Sequence, residues 1–486
     1  MQAIETIHPD PLTTHACWID GCSVSGVEDY PLVDPSTGDI FAKATLAGED
    51  LVDSALASAQ RSYRTWRTTS TSFRAAILGK LAALVREDAQ SLAATLSQEV
   101  GKPITAAHAE VMSAAQLIDY FAQETLRITG QIPYLGYARE QVMIVREPVG
   151  VVVAINPYNY PLSTLVCKVA PAVAVGCTVV AKPDEHTPIS TLKLAQMASA
   201  AGLPPGVLNV LTGDGPTTGR LLVAHPTPRL VAFTGSTEVG KEVHSASAKY
   251  VRKVVSELGG HCPAIVCADA PWPGLLPAMV AQSFKNCGQY CYRISRFYVD
   301  EQIYTDFLDQ FTKLTLALQV GPAFDPNTDL GPMNNREVYS KVQSQVATAV
   351  GEGAHVHIGG APLEKYPGGF YYLPTILTNV TAEMKIARQE VFGPVVIITA
   401  FSDPDSAIQE ANDTPYGLGA YLFTADLGRA LEWSASLEAG SIWVNAIHQA
   451  YPEAPFGGMK ESGLGREKSR FGVEEYTELK TIYFSY

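Results

Sequence analysis

A chain of 486 residues, 47% hydrophobic and 17% charged, holds enough apolar material for a large core and is long enough for about three domain-sized units, which excludes a disordered chain. Its 35 lysines and arginines against 49 aspartates and glutamates leave a net charge of −14, so on average it repels nucleic-acid backbones and anionic membrane surfaces. Small molecules and other subunits are the expected partners, and eight cysteines at irregular spacings imply reduced thiols rather than a disulfide framework.

The N-terminal MQAIETIHPDPLTTH is polar and lacks both a basic n-region and an apolar h-region, so it reads neither as a secretory signal nor as a transit peptide and predicts a cytoplasmic protein. Residues 17 to 47 alternate in short runs broken by Asp-Gly, Ser-Gly and Pro-Ser-Thr-Gly, the pattern of a small antiparallel sheet. From about Glu49 to Thr129 apolar residues recur at three and four, predicting Ala-rich amphipathic helices interrupted at Gly101-Lys102-Pro103; these read as scaffold without chemistry. The longest apolar run, Val169 to Ala181, is 13 residues between two lysines, a length that suits a core element and falls short of a bilayer.

Between Val149 and Leu258 short β-branched strands (VGVVVAIN, CTVVAKP, GVLNVLTG, RLVAFTG, RKVVSEL) alternate with helical segments, which predicts a parallel sheet covered on both faces. Ligands of such sheets sit beyond the carboxyl ends of the strands. There the chain places Asn156 to Pro161, Lys182 to Glu185, Gly213-Asp214-Gly215, Gly235-Ser236-Thr237 and Glu257 to Gly260. Gly235, Ser236 and Thr237 open a helix, where backbone N–H groups and the helix dipole favour a pyrophosphate. A regular G-x-G-x-x-G is missing, because Gly213-x-Gly215 is followed by Gly219, one residue too far.

A second strand and helix pattern follows Gly260 and leads to NCGQYCYRISR, where Cys291 stands in a Gly-Gln turn context before the apolar run ISRFYV. The terminal EEYTELKTIYFSY alternates like an edge strand and, with its tyrosines, predicts oligomerisation.

The motifs NPYNYPL, KPDEHTP, FTGSTEVG, ELGG, GQYC, EVFGP and PFGGMKESGLGRE, in this order and spacing over nearly the whole chain, resemble the aldehyde dehydrogenase superfamily. The resemblance implies an α/β fold with a Rossmann-type NAD(P)-binding domain (1–127, 147–259 and 443–470), an α/β catalytic domain (260–442) and a small β oligomerisation domain (128–146 and 471–486) that makes homodimers or homotetramers. It assigns Cys291 as nucleophile, Asn159 as oxyanion donor together with the Cys291 backbone N–H, and Glu257 as general base. It assigns Asn156, Lys182, Glu185, Gly235, Ser236, Glu390 and Phe392 to the cofactor. Glu185 beside Asp184 would accept a ribose hydroxyl and repel a 2′-phosphate, so NAD is preferred and NADP is second.

The chemistry agrees with the residue types. Hydride leaves a tetrahedral carbon bearing an oxyanion far more readily than a planar carbonyl, so a thiolate must add first. The resulting thioester then needs a base for hydrolysis, and burial would raise the pKa of Glu257 towards that task. Tyr290 and Tyr292 flank the thiol and, with Tyr160 and His448, are the candidate substrate pocket; a semialdehyde or hydroxyaldehyde is the expected substrate. His448 and Gln449 are candidates for binding a polar or acidic tail. Cys287, four residues before Cys291, opens a redox-pair or metal reading, but no further ligands lie nearby in sequence and no metal is expected. A CoA-acylating relative and a cysteine hydrolase without nucleotide remain the alternatives.

Overall fold

A computed structural model describes residues 13–136, 139–449 and 451–486. The polar N-terminal segment thus lies largely outside the described residues, as does Ala450.

The five β-branched runs form the parallel centre of an eight-stranded sheet in the order Lys253–Glu257, Leu230–Thr234, Val151–Ile155, Thr178–Lys182 and Leu208–Val210. Both faces are covered. The helices Thr71–Glu87, Ile104–Thr125, Pro161–Val175 and Pro188–Ala200 pack on one side and Glu49–Trp66 with Thr237–Ala248 on the other. Val151, Val152 and Val153 are each nearly or fully buried, and burying one such side chain contributes roughly 1.5–3 kcal/mol. The 13-residue apolar run is the end of Pro161–Val175 and the strand after it; among the described residues no helix is long and apolar enough to cross a membrane.

A second, seven-stranded sheet runs His355–Ile358, Thr375–Thr378, Val395–Phe401, Arg296–Asp300, Pro263–Val266, Gly419–Phe423 and Ser441–Val444, parallel except at its first pair. The terminal strand Thr477–Ser485 pairs antiparallel with Glu140–Pro148 as a separate ribbon, leaving Leu479, Tyr483 and Phe484 exposed.

One expectation is corrected. The segment 17–47 is not one small sheet: Cys17–Ile19 and Cys22–Val24 form an antiparallel hairpin that extends the eight-stranded sheet through Trp18 and Val210, while Glu28–Val33 and Ile40–Leu46 pair separately. Backbone groups at the sheet edge are satisfied by the hairpin, which the turn signals alone did not disclose. Gly101 ends the helix Ala89–Val100 in the left-handed conformation (φ 83°), and this turn sends Lys102 inward to the loop that carries Asn159.

Candidate active site

Cys291 sits on a loop whose backbone is forced into shape. Asn286, Cys287 and Gly288 are successively left-handed (φ 52°, 54° and 72°), a conformation that costs a non-glycine residue roughly 1–2 kcal/mol. A Cβ on Gly288 would stand 1.9 Å from the Gly393 carbonyl oxygen, so only glycine fits. Polar contacts hold the loop: Gln289 Nε2 donates to the Asn286 carbonyl at 3.1 Å, Gln289 Oε1 accepts from Asn334 N at 2.9 Å, and the Arg293 guanidinium donates to the Val391 carbonyl at 2.8 Å.

The Cys291 side chain is half-buried and packs in the cluster of Cys262 and Tyr292. Burial, then the charges of Cys262, Glu257 and Glu390, push its thiol up, and Lys468 opposes them. Cys287 packs in another cluster, with Met333, Val342 and Val391, so the two thiols four residues apart serve different cores. The cysteine that reaches the Cys291 backbone is Cys262, whose Sγ donates to the Cys291 carbonyl at 3.4 Å. Among the described residues one group has metal-like spacing, Asp184 with Glu185 and His186; it contains no cysteine, and the Lys182 ammonium lies beside it.

Glu257 is the last residue of its strand and is 2% exposed, so it is no solvated strand end. Neither carboxylate oxygen has a hydrogen-bond partner. Burial first, then the Glu467 carboxylate, raise its pKa well above the ordinary range. Asn159 is buried; its Nδ2 donates to the Gln289 carbonyl at 3.1 Å, which uses one N–H and leaves the other for a ligand oxygen.

Gly260 joins these parts. Its N–H donates to Glu390 Oε1 at 2.9 Å, and a Cβ there would meet the Cys291 carbonyl oxygen at 2.9 Å. The strand end carrying Glu257, the thiol loop and Glu390 therefore meet at one backbone residue. Burial raises the Glu390 pKa, and Phe392 lies edge-on to Tyr158 with ring centroids 6.2 Å apart.

The remaining predicted cofactor residues lie at the carboxyl ends of the strands. Lys182 Nζ is 3.5 Å from Glu185 and donates to the Pro183 carbonyl at 3.0 Å. Asn156 Nδ2 donates to the Pro161 carbonyl at 3.1 Å, while its buried Oδ1 has no partner. Ser236 caps the helix Thr237–Ala248, with Gly235 before it in a turn where a Cβ would strike the Phe233 ring at 2.5 Å. A helix N-terminus, a glycine turn, an unpartnered amide oxygen and a Lys–Glu pair fit a dinucleotide.

The pocket residues divide. Tyr160 and Tyr290 have ring centroids 5.2 Å apart, and the Tyr290 hydroxyl is 2.7 Å from His448 Nδ1. Burial, then Lys468 and Lys285, push the His448 imidazole down to about 3, so it is neutral. Tyr292 is fully buried, stacked on His448 at 5.1 Å and edge-on to Phe456 at 4.6 Å; it supports the pocket from beneath.

The structure adds residues that the motifs did not. Lys168, wholly buried, donates to Glu467 at 2.7 Å and to Thr234 Oγ1 at 2.6 Å beside Glu257. Its signal was a lysine inside an apolar helix. Lys285 and Lys468 place their ammonium groups 4.8 Å from the Tyr290 ring and 4.7 Å from the Phe456 ring, and neither forms an ion pair among the described residues. No local pattern marked them.

The whole-chain comparison decides the family: residues 18–482 match the model of the aldehyde dehydrogenase family. The chain belongs to the aldehyde dehydrogenase family. It is 37% identical to 3-sulfolactaldehyde dehydrogenase of Pseudomonas putida, covering 97% of this chain and 98% of that one. It is 36% identical to the NADP⁺ succinate-semialdehyde dehydrogenase of Escherichia coli K12, covering 95% of each. The solved betaine aldehyde dehydrogenase of Staphylococcus aureus in complex with NAD⁺ superposes with a TM-score of 0.96 at 31% identity, over 99% of this chain and 97% of that one. The α/β architecture is thus that of the aldehyde dehydrogenases, and the family's NAD(P)-dependent aldehyde oxidation is this chain's reaction class.

Proposed function

We propose that this aldehyde dehydrogenase oxidises a small aldehyde with an anionic tail to the carboxylate, using NAD in preference to NADP, through a covalent adduct on Cys291. The observation that carries the chemistry is the meeting of thiol loop, Glu257 strand and Glu390 at Gly260. The Cys291 thiol gives up its proton to solvent and the thiolate adds to the aldehyde carbon, while the second N–H of Asn159 with the Cys291 backbone N–H donates to the oxyanion; each such donor is worth roughly 3–4 kcal/mol. Asn156, Lys182, Glu185, Gly235, Ser236, Glu390 and Phe392 would hold NAD(P), which would supply the hydride acceptor when bound. Loss of hydride from the tetrahedral carbon leaves a thioester on Cys291. Glu257 takes a proton from water, the water oxygen adds to the thioester carbon, and the thiolate departs as the carboxylate forms.

The anionic tail is read from the cations. Tyr160, Tyr290 and Phe456 would make a cage for a positively charged ligand, but the chain's own Lys102, Lys285 and Lys468 already sit against these rings at 3.8, 4.8 and 4.7 Å. An ammonium substrate would meet repulsion, and a carboxylate or sulfonate would meet Lys285, Lys468 and the His448 N–H left when Tyr290 donates to Nδ1. The sulfolactaldehyde and succinate-semialdehyde relatives carry this charge in their named substrates, and the betaine aldehyde dehydrogenase carries the opposite one. Glu185, next to Asp184, favours a ribose hydroxyl over a phosphate.

The three-part division (1–127, 147–259 and 443–470 for cofactor; 260–442 for catalysis; 128–146 and 471–486 for assembly) goes with this reading. The exposed apolar residues of the terminal ribbon support a homodimer or homotetramer. The test is an aldehyde panel followed at the NADH absorbance with both cofactors: an ω-carboxy aldehyde, a neutral aldehyde of equal length and a trimethylammonium aldehyde. The carboxy compound should give the highest kcat/KM, and Cys291→Ala should give none. Preference for the ammonium compound would overturn the tail assignment; oxidation intact in Cys291→Ala would overturn the mechanism.

A further inference from the structure

Lys102 and Glu110 form a buried ion pair outside the reacting groups, with side chains 1% and 0% exposed and Nζ 2.5 Å from Oε2. A buried pair of this kind is weak evidence for stability, because desolvating two charges offsets most of their attraction. Its other contacts all go to the loop of Asn159. The Lys102 ammonium donates to the Asn159 backbone carbonyl at 2.8 Å as well as to Glu110, and lies 3.8 Å from the Tyr160 ring centroid. Glu110 Oε1 accepts from the backbone N–H groups of Leu162 and Ser163, both at 3.1 Å, in the first turn of the helix Pro161–Val175. These N–H groups have no intrahelical partner, and a carboxylate suits the positive end of the helix.

Residue 159 is thus fixed from both directions along the chain. Lys102 holds its carbonyl, and Glu110 holds the helix that starts two residues later. From the other side Asn286 Nδ2 donates to the same Asn159 carbonyl at 3.1 Å and to the Gln289 carbonyl at 3.2 Å, the same oxygen that receives the Asn159 side-chain amide at 3.1 Å. With the backbone and one N–H fixed, the second N–H of the Asn159 amide has a single direction.

We propose that Lys102 and Glu110 are positioning residues that aim the Asn159 amide at the developing oxyanion, so that the helical layer governs the rate of the chemical step without touching substrate. The proposal rests on Asn159 being the oxyanion donor. An interaction made only in the transition state alters kcat and leaves ground-state binding alone, and a misplacement of about 1 Å costs on the order of 10²-fold.

The experiment is single-turnover hydride transfer, with aldehyde KM, cofactor Kd and Tm, for Lys102→Met, Glu110→Gln and Asn159→Ala and for each of the first two combined with Asn159→Ala. Glu110→Gln keeps an acceptor for the two backbone N–H groups while removing the charge, and serves if Lys102→Met does not fold. Lys102→Met should slow hydride transfer roughly 10- to 100-fold and Glu110→Gln about 3- to 10-fold, with KM and cofactor Kd within about threefold. In the Asn159→Ala background both losses should shrink to less than about twofold. Full additivity with an impaired Asn159→Ala enzyme, or losses that appear in cofactor Kd and not in the hydride step, would overturn the proposal. An Asn159→Ala enzyme with unchanged hydride transfer would instead refute the oxyanion reading beneath it.

Discussion

The Lys168 ammonium lies 2.7 Å from Glu467 Oε1, and Glu257, next to this buried pair, has no hydrogen-bond partner of its own. Burial and the Glu467 charge raise the Glu257 pKa, and Lys168 lowers it. A base works deprotonated, so thioester hydrolysis falls as pH drops through that raised pKa. Glu467→Gln removes the opposing negative charge and leaves Lys168 positive, and both changes lower the Glu257 pKa. The acidic limb of kcat should move to lower pH, measured by steady-state rates from pH 5 to 9; a limb that stays in place would separate Glu467 from Glu257. The stability sign follows too. A carboxyl whose folded pKa is raised loses stabilisation as pH rises through that value, so Glu257→Gln should raise Tm above it and match the wild type below the ordinary glutamate range.

The Cys291 thiol is held up by burial and by Cys262, Glu257 and Glu390, while Lys468 lowers it. Without cofactor, alkylation by iodoacetamide at pH 7 should therefore be slower than that of a free cysteine and should climb steeply above pH 9. Lys468→Ala should slow it further. Peptide mapping of the labelled site gives the rate, and rapid labelling at pH 7 would contradict the geometry.

Lys285 faces the pocket with no ion pair among the described residues. Lys285→Met should reduce kcat/KM for a carboxy aldehyde by roughly 10- to 100-fold, the worth of a charged hydrogen bond, and leave a neutral aldehyde within about threefold. Equal losses for both substrates would mark Lys285 as a structural residue.

Glu185 stands 3.5 Å from Lys182 at the end of its strand. Glu185→Ser removes the charge that opposes a 2′-phosphate and frees the Lys182 ammonium. The ratio of kcat/KM for NADP to that for NAD should rise by about 10-fold or more. An unchanged ratio would place the discrimination elsewhere.

The parallel sheet was legible in the sequence because each strand is a short β-branched run buried on both faces, followed by a polar or glycine-rich end. Cys291, Glu257 and Asn159 stood out as polar breaks in an apolar scaffold, and the roles assigned to them come from the resemblance. What depends on side-chain direction was not. Tyr290 and Tyr292 read alike beside the thiol, yet one turns to His448 at the pocket and the other is buried beneath it. Lys285 and Lys468 come from distant parts of the chain and no periodicity joins them. Lys102 sat in what read as a helix stop, and only its contact with the Asn159 carbonyl gives it a part in the site.

The three left-handed residues before the nucleophile bear on how this enzyme tolerates change in length. Loop length elsewhere is buffered by free turns, but here the path from Phe284 to Cys291 is set by main-chain reversals at Asn286, Cys287 and Gly288 against the Gly393 carbonyl. Adding or deleting one residue in that path would shift which wall the thiol faces while leaving every sheet intact.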